Sequence, residues 1–438
     1  MENKKAFGII SAVMLGIGSM VGAGIFIVIG QAGSIAGNIV WVSFIFGGIA
    51  ALLSGYSLAK LALAYPSRGG IVEYLVQSYG EGVFSGSAGV LFYFSGLVAI
   101  AAVAKSFGVY AATFMQGGDA FWINIYAVGI VIVFTTINLV GASIVAKSEN
   151  IIVIIKLTIL IVFTVAALFN VSPKLLSISN MPPMKDMFFA IGLTFFAYQG
   201  FSVITNTVED MKNPKKTMMY SMTIAIIFVA ILYILTSLAV LGNLPLAEVV
   251  KAKDYALAQA AEPIFGHFGF KIMAVTALLA TASAINATLY ATTEIGYTMA
   301  KNGDLPKIYD YNIFHSFEGI IVSTVFIIPM IIFFSLTQIT IIATLAVLII
   351  QGITHIGHLF RIKQTGANIY MVLLSIFFIF SIVGLTLYYT YQHTPMIGFY
   401  LIISFAIAFG VEIALRLITH RTISKQILKL EKEIFRAD

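Results

Sequence analysis

Apolar runs of about twenty residues or more follow one another along this chain, separated by short polar stretches. The pattern gives apolar segments at 7–36, 38–64, 82–112, 122–143, 149–169, 185–209, 217–242, 267–300, 319–335, 338–359, 370–391 and 396–418. Runs of this length suit helices that cross a bilayer, where the backbone must satisfy its own hydrogen bonds. They show no period-two alternation, which argues against a β-barrel. One polar stretch, "LAEVVKAKDYALAQAAEPIF" at 246–265, is too charged to cross and reads as an outer amphipathic helical loop. The expected fold is therefore an all-α membrane protein with 12 transmembrane helices, and residues 419–438 form a short tail.

Composition agrees with this. Of 438 residues, 60% are hydrophobic and 10% charged, whereas soluble domains carry about 25% charged residues. Lys4 and Lys5 precede the first apolar run as in a signal peptide, but that run continues past Phe26 and many more follow. With twelve spans both termini share a side, and the loops and tails on that side hold most of the 25 Lys and Arg residues. The positive-inside rule then puts both termini in the cytoplasm, in a multi-pass protein of the cytoplasmic membrane. The net charge of +6 thus reflects topology, not nucleic-acid binding. With no cysteine, thiol chemistry is absent. The six histidines form no metal-type cluster; His355 and His358 share one helix without a nearby acid. "GQAGSIAG" lacks the lysine of a nucleotide-binding loop. An enzyme is not expected, and neither is a cofactor or a metal.

Two spans carry interruptions. The first contains "GIGSMVGAGIF", with Gly16, Gly18, Gly22 and Gly24. Each glycine weakens a helix by roughly 1 kcal/mol relative to alanine. The stretch reads either as a break in the helix or as a small-residue seam for close packing, since Gly18 and Gly22 form GxxxG. The sixth span contains "FFAYQGFSVITN", with Gln199 and Gly200 near its middle. Interrupted helices opening the two halves of a chain suggest an inverted-repeat transporter. Residues 1–170 would form one five-span repeat and 185–360 the second. Residues 370–418 would add two helices outside the repeats, free to pack laterally; the oligomeric state stays open. With helices 1 and 6 broken, exposed N–H groups would suit a carboxylate and exposed carbonyls an ammonium. An α-amino acid carries both.

Four motifs, in order, resemble the amino acid–polyamine–organocation (APC) transporters and their LeuT-like fold. They are "GAGIF" at 22–26, "YSLAKLALAYPSRGGIVEY" at 56–74, "FFAYQGF" with "VEDMKNPKK" at 195–216, and "MAKNGDLP" at 299–306. The resemblance implies substrate binding by Met20, Gly22, Ala23, Gly24, Phe196, Tyr198 and Gln199. The carboxylate would meet the N–H groups of Ala23 and Gly24, and the amine the carbonyls near Met20 and Phe196. Many relatives have GSG or GTG where this chain has GAG.

Lys156 stands alone inside the fifth span. Its stem is long enough to snorkel to the interface. Within the resemblance, its ammonium would instead occupy the place where sodium-coupled relatives hold their ion, donating to the first helix and to Thr281 and Ser283 of the eighth span. Burial disfavours the charged amine, so protons would serve as the coupling ion. Lys105 of the third span is expected to snorkel. Arg68, Glu209 and Glu294 are gate candidates at the cytoplasmic mouth, where solvated loop charges are the plainer reading. The expected function is proton-coupled symport of small neutral L-amino acids by alternating access. The alternatives are an amino acid or amine exchanger or, in another class, a channel or pH-sensing membrane protein.

Overall fold

The computed structural model describes residues 8–115, 119–140, 143–177, 182–313, 316–317 and 319–418, with the backbone alone at Ala23, 143–150, Asn302, 312–313 and 316–317. The tail 419–438 lies outside the described residues.

Helix α1 spans Ile9–Ala36, α2 Val40–Ala64, α3 Ile71–Tyr79, α4 Val83–Ala112 and α5 Ala120–Val140. Helix α6 covers Ser143–Phe169, and α7 covers Met184–Tyr198 and continues as a 3-10 segment, Gln199–Asp210. Then come α8 (Pro214–Asn243), the short α9 (Leu246–Lys251) and α10 (Ala256–Gln259), and α11 (Glu262–Asn302). The described residues end with α12 (Gly319–Phe333), α13 (Leu336–Phe360), the one-turn α14 (Ile362–Thr365), α15 (Ile369–His393) and α16 (Pro395–Ile418). The only strands among the described residues are a two-residue antiparallel pair, Asn312–Ile313 with Ser316–Phe317. Each apolar segment read from the sequence coincides with one of these long helices. Ten described stretches are long and apolar enough to cross a membrane; Ile9–Gly22 and Gly319–Phe333 are shorter apolar helices.

Local chemistry sets the boundaries. Asn213 caps α8, accepting from the Lys216 N–H at 3.4 Å, and Pro214 follows at the first helical position. Ser335 and Gln338 form a reciprocal capping box at the start of α13. At the end of α11, Gly303 adopts φ 77°, the left-handed conformation that lets its N–H cover the last carbonyls. Gly266, at φ 66°, kinks α11 near its start.

Helix α1 differs from expectation. It is continuous from Ile9 to Ala36, with no break at Gly22–Gly24. The sixth span is interrupted, by a change of helix type at Gln199. Twelve residues are many for a 3-10 helix. Its hydroxyls favour the tighter winding: Thr205 Oγ1 donates to the Ser202 carbonyl at 2.7 Å and Thr207 Oγ1 to that of Ile204 at 2.9 Å.

Of the six glycines of α1, the first four sit where an added Cβ would come within 3.0 Å of a neighbouring atom. A Cβ on Gly16 would stand 2.5 Å from Ile204, on Gly18 2.8 Å from Val153, on Gly22 2.8 Å from Ala284, and on Gly24 2.5 Å from the Ala197 carbonyl oxygen. The four glycines therefore admit four neighbours: the 3-10 segment, α6, α11 and α7. That close packing offsets their poor helix propensity, and the unbroken helix keeps its peptide groups satisfied. The seam reading holds for α1, and the break is withdrawn.

Candidate functional site

A cavity of about 190 Å³ lies between α1, α4, α7 with its 3-10 extension, α11 and α13. Ser19, Met20 and Gly24 line it from α1, and Phe196, Gln199, Ser202 and Asn206 from α7 and the 3-10 segment. Tyr93 and Ser95 of α4 and Thr288 and Thr292 of α11 complete its polar lining. No Asp, Glu, Lys or Arg among the described residues lines it. Its lining includes Asn206, which packs against Gly70, two residues after Arg68. Toward its C-terminal end α1 is covered: Gln31 donates to Asp254 at 3.3 Å, and the Lys253 carbonyl oxygen would be 2.0 Å from a Cβ on Gly30. The Tyr110 hydroxyl closes the same end, donating to the Phe26 carbonyl at 2.9 Å. Burial raises the pKa of Asp254 above the ordinary carboxylate value, against the lowering influence of its bond from Gln31 and of Lys253 and Lys105.

Of the expected substrate residues, the structure brings Met20, Gly24, Phe196 and Gln199 to the cavity wall. Gly22 is turned to Ala284 instead. The backbone of Ala23 is helical and its side chain is not described. The N–H groups of Ala23 and Gly24 lie within the helix, so they are not the free donors the sequence suggested. Tyr198 is corrected as well: it is fully buried away from the cavity, and its hydroxyl donates to the Phe44 carbonyl of α2 at 2.9 Å.

The Met20 carbonyl, expected to meet a substrate amine, already has a partner that the sequence reading missed. The Tyr233 hydroxyl of α8 donates to it at 2.7 Å and approaches the Ala197 carbonyl at 3.3 Å, tying α1 to α7. A tyrosine in an apolar span was the available signal, because a buried hydroxyl needs an acceptor.

Lys156 does not snorkel. Its side chain is 0% exposed, and Nζ donates to the Gly18 carbonyl oxygen at 2.9 Å. Val153, one turn before it, fills the hollow left by the missing Cβ of Gly18. Thr281 and Ser283 are both buried on α11. The Thr281 hydroxyl donates into its own helix, to Ala277 at 2.7 Å. Lys105 is pinned too, donating to Asn124 Oδ1 and to the Ile331 carbonyl in the last turn of α12, each at 2.6 Å.

At the other end of the bundle, Arg68 is paired with Asp210 at 3.2 Å and with Glu209 at 3.6 Å. These side chains are exposed, so the pairing contributes roughly 1 kcal/mol at most. Glu294 is also exposed and joins no salt bridge among the described residues.

The cavity is thus neutral and lies beside a glycine-rich helix, α1, whose Gly18 carbonyl accepts from the buried Lys156 amine of α6. The family model for amino acid permeases matches residues 7–411. The chain belongs to the amino acid permease family. The permease is 40% identical over 309 residues to the inner membrane transport protein YbaT of Escherichia coli, covering 70% of this chain and 72% of that one. It is 32% identical over 431 residues to the uncharacterized protein MJ0609 of Methanocaldococcus jannaschii, covering 98% and 99%. Similarity extends to the serine/threonine exchanger SteT of Bacillus subtilis, 27% identical over 309 residues, covering 69% and 70%. The permease is thus a multi-pass membrane transporter of the APC superfamily and not an enzyme.

Proposed function

We propose that the permease is a proton-coupled symporter of small neutral amino acids, with Lys156 as its proton-binding group. The observation that carries this reading is the buried Lys156 amine, 2.9 Å from the Gly18 carbonyl of α1. A charged donor forms a stronger hydrogen bond than a neutral one. Protonated, Lys156 holds α6 to α1; neutral, it holds it less, and α1 becomes free to move against its neighbours. The proton thereby biases which side of the bundle is open, and an inward proton gradient drives uptake.

The cavity supports the substrate class. Its volume of about 190 Å³ lies below the roughly 300 Å³ at which drug-sized ligand pockets begin. The lack of a lining acid disfavours a cationic side chain. In this reading the chain has twelve spans, α7 and the 3-10 segment together making the sixth, with 1–170 and 185–360 as inverted five-span repeats and both termini cytoplasmic. The Arg68 pairing stands at the cytoplasmic mouth, and Thr281 and Ser283 flank Lys156 from α11. Protons serve as the coupling ion, with no other cofactor.

The test is reconstitution into liposomes with a panel of radiolabelled amino acids, with and without an imposed pH gradient. Gradient-dependent accumulation of small neutral amino acids is expected. Uptake that ignores the gradient and requires an internal amino acid would replace this reading with obligate exchange, which the similarity to SteT favours as the second reading.

A further inference from the structure

A directed chain of hydrogen bonds leads from the cavity into the interface of α2 and α13. Gln351 Nε2 donates to Gln199 Oε1 at 3.2 Å, and Ser54 Oγ donates to Gln351 Oε1 at 3.1 Å. With its proton committed to Gln351, Ser54 must accept from its other partner, His355 Nε2, 2.8 Å away. That requires the Nε2–H tautomer of His355 and leaves Nδ1 as an acceptor. Nδ1 is buried and unpartnered, in keeping with this assignment. At the cavity end of the chain, Gln199 has its oxygen occupied and its Nε2 buried without a partner.

We infer that Gln199 presents an N–H donor to an oxygen of the substrate, and that His355 is a positioning residue that fixes this polarity through Ser54 and Gln351. Each bond in the chain sets the next: imidazole to hydroxyl, hydroxyl to amide oxygen, amide N–H to amide oxygen. Were Ser54 to donate to His355 instead, the Gln351 oxygen would lose its donor, and nothing would keep that amide from turning. An amide bonded on one side only offers the cavity a donor and an acceptor with equal ease. One bonded through its oxygen offers the donor. The acceptor on the substrate is either its carboxylate or a side-chain hydroxyl.

A second rung runs parallel one turn further along. His358 Nδ1 is 2.7 Å from Ser57 Oγ, and its Nε2 is 2.8 Å from Thr365 Oγ1. Lys60 of α2 acts electrostatically on His358, and His358 on His355. On α3, Tyr79 donates to the Ile353 carbonyl at 2.7 Å. This second rung does not reach Gln199.

The inference rests on the amino acid transport reading, and the experiment separates the two. Initial uptake of alanine and of serine is measured in liposomes for wild type, His355→Phe, His355→Gln and Gln351→Leu, with melting temperature in detergent as the folding control. Glutamine places an N–H where imidazole Nε2–H stands; phenylalanine has none. The expected result is a KM raised about two- to tenfold in His355→Phe and Gln351→Leu, the value of one lost hydrogen bond, with His355→Gln close to wild type. A rise for serine alone assigns the Gln199 donor to the side-chain hydroxyl; an equal rise for both substrates assigns it to the carboxylate. Wild-type KM in His355→Phe, or equal impairment in the phenylalanine and glutamine variants, overturns the inference and leaves the transport reading standing. A folded wild type that carries neither substrate and shows no thermal stabilisation by either overturns both.

Discussion

The Lys156 ammonium reaches from α6 to the carbonyl oxygen of Gly18 at 2.9 Å, across a seam kept narrow by the missing Cβ of that glycine. The amine and the glycine form one device. A Cβ at position 18 would stand 2.8 Å from the Val153 side chain, which would have to give way one turn before Lys156.

Lys156→Met is expected to abolish accumulation driven by a pH gradient, by at least tenfold, while counterflow between internal and external amino acid persists. Methionine fills much of the same volume without a donor. The check is paired uptake and counterflow in the same liposome preparation. Undiminished gradient-driven accumulation would remove Lys156 from the coupling mechanism.

The glycines of α1 carry a stability prediction. Gly24→Ala places a methyl 2.5 Å from the Ala197 carbonyl oxygen and 2.9 Å from its Cα, so backbone must shift. A cost of about 1–3 kcal/mol is expected. Gly410→Ala, in α16 with open space around the added methyl, is expected to gain up to about 1 kcal/mol. Thermal unfolding in detergent compares the two; similar melting temperatures for both variants would refute the seam.

Tyr233→Phe removes the hydroxyl that joins Met20 and Ala197 and should cost about 1 kcal/mol. The chain contains no cysteine, so a Ser19→Cys substitution gives a unique probe at the cavity wall. Maleimide labelling at that position should be faster in the Tyr233→Phe background, as α1 and α7 separate more readily. An unchanged labelling rate would show that the hydroxyl does not hold the seam.

Asp254 predicts a pH effect at the covered end of α1. Its pKa is raised in the folded protein, chiefly by burial. The native state therefore binds more protons than the unfolded state between the ordinary carboxylate value and the raised one. Stability from this group is fully present at the acid side of that window and is lost as pH rises through the folded pKa. Asp254→Asn should flatten this part of the stability curve and narrow the gap between melting temperatures at about pH 4.5 and pH 7. An equally steep dependence in the variant would assign the effect to another group.

The helices were legible in the sequence because lipid leaves the backbone few choices, and a run of apolar residues specifies a helix without knowledge of its neighbours. The short helices within 246–265 were legible for the opposite reason: the charges of that stretch forbid burial in hydrocarbon. The glycines of α1 were ambiguous, since low helix propensity and close packing both call for glycine. Only the positions of Ile204, Val153, Ala284 and Ala197 decide between them. Tyr198 was misplaced by helix phase. Two residues after Phe196 it lies on nearly the opposite face, toward α2. Gln199, three after Phe196, returns to the cavity. Tyr233, Gln351 and His355 went unassigned because a lone polar residue in an apolar helix reveals that it needs a partner but not which one.

Side chains that interdigitate can change rotamer and absorb a small movement of one helix against another. Along α1 that slack is reduced, because at four levels no side chain of its own separates its backbone from Ile204 of the 3-10 segment, Val153 of α6, Ala284 of α11 and the Ala197 carbonyl of α7. A displacement of α1 meets side chains at Gly16, Gly18 and Gly22 and backbone at Gly24. At Gly24, where backbone faces the backbone of Ala197, α1 and α7 are expected to shift as a pair.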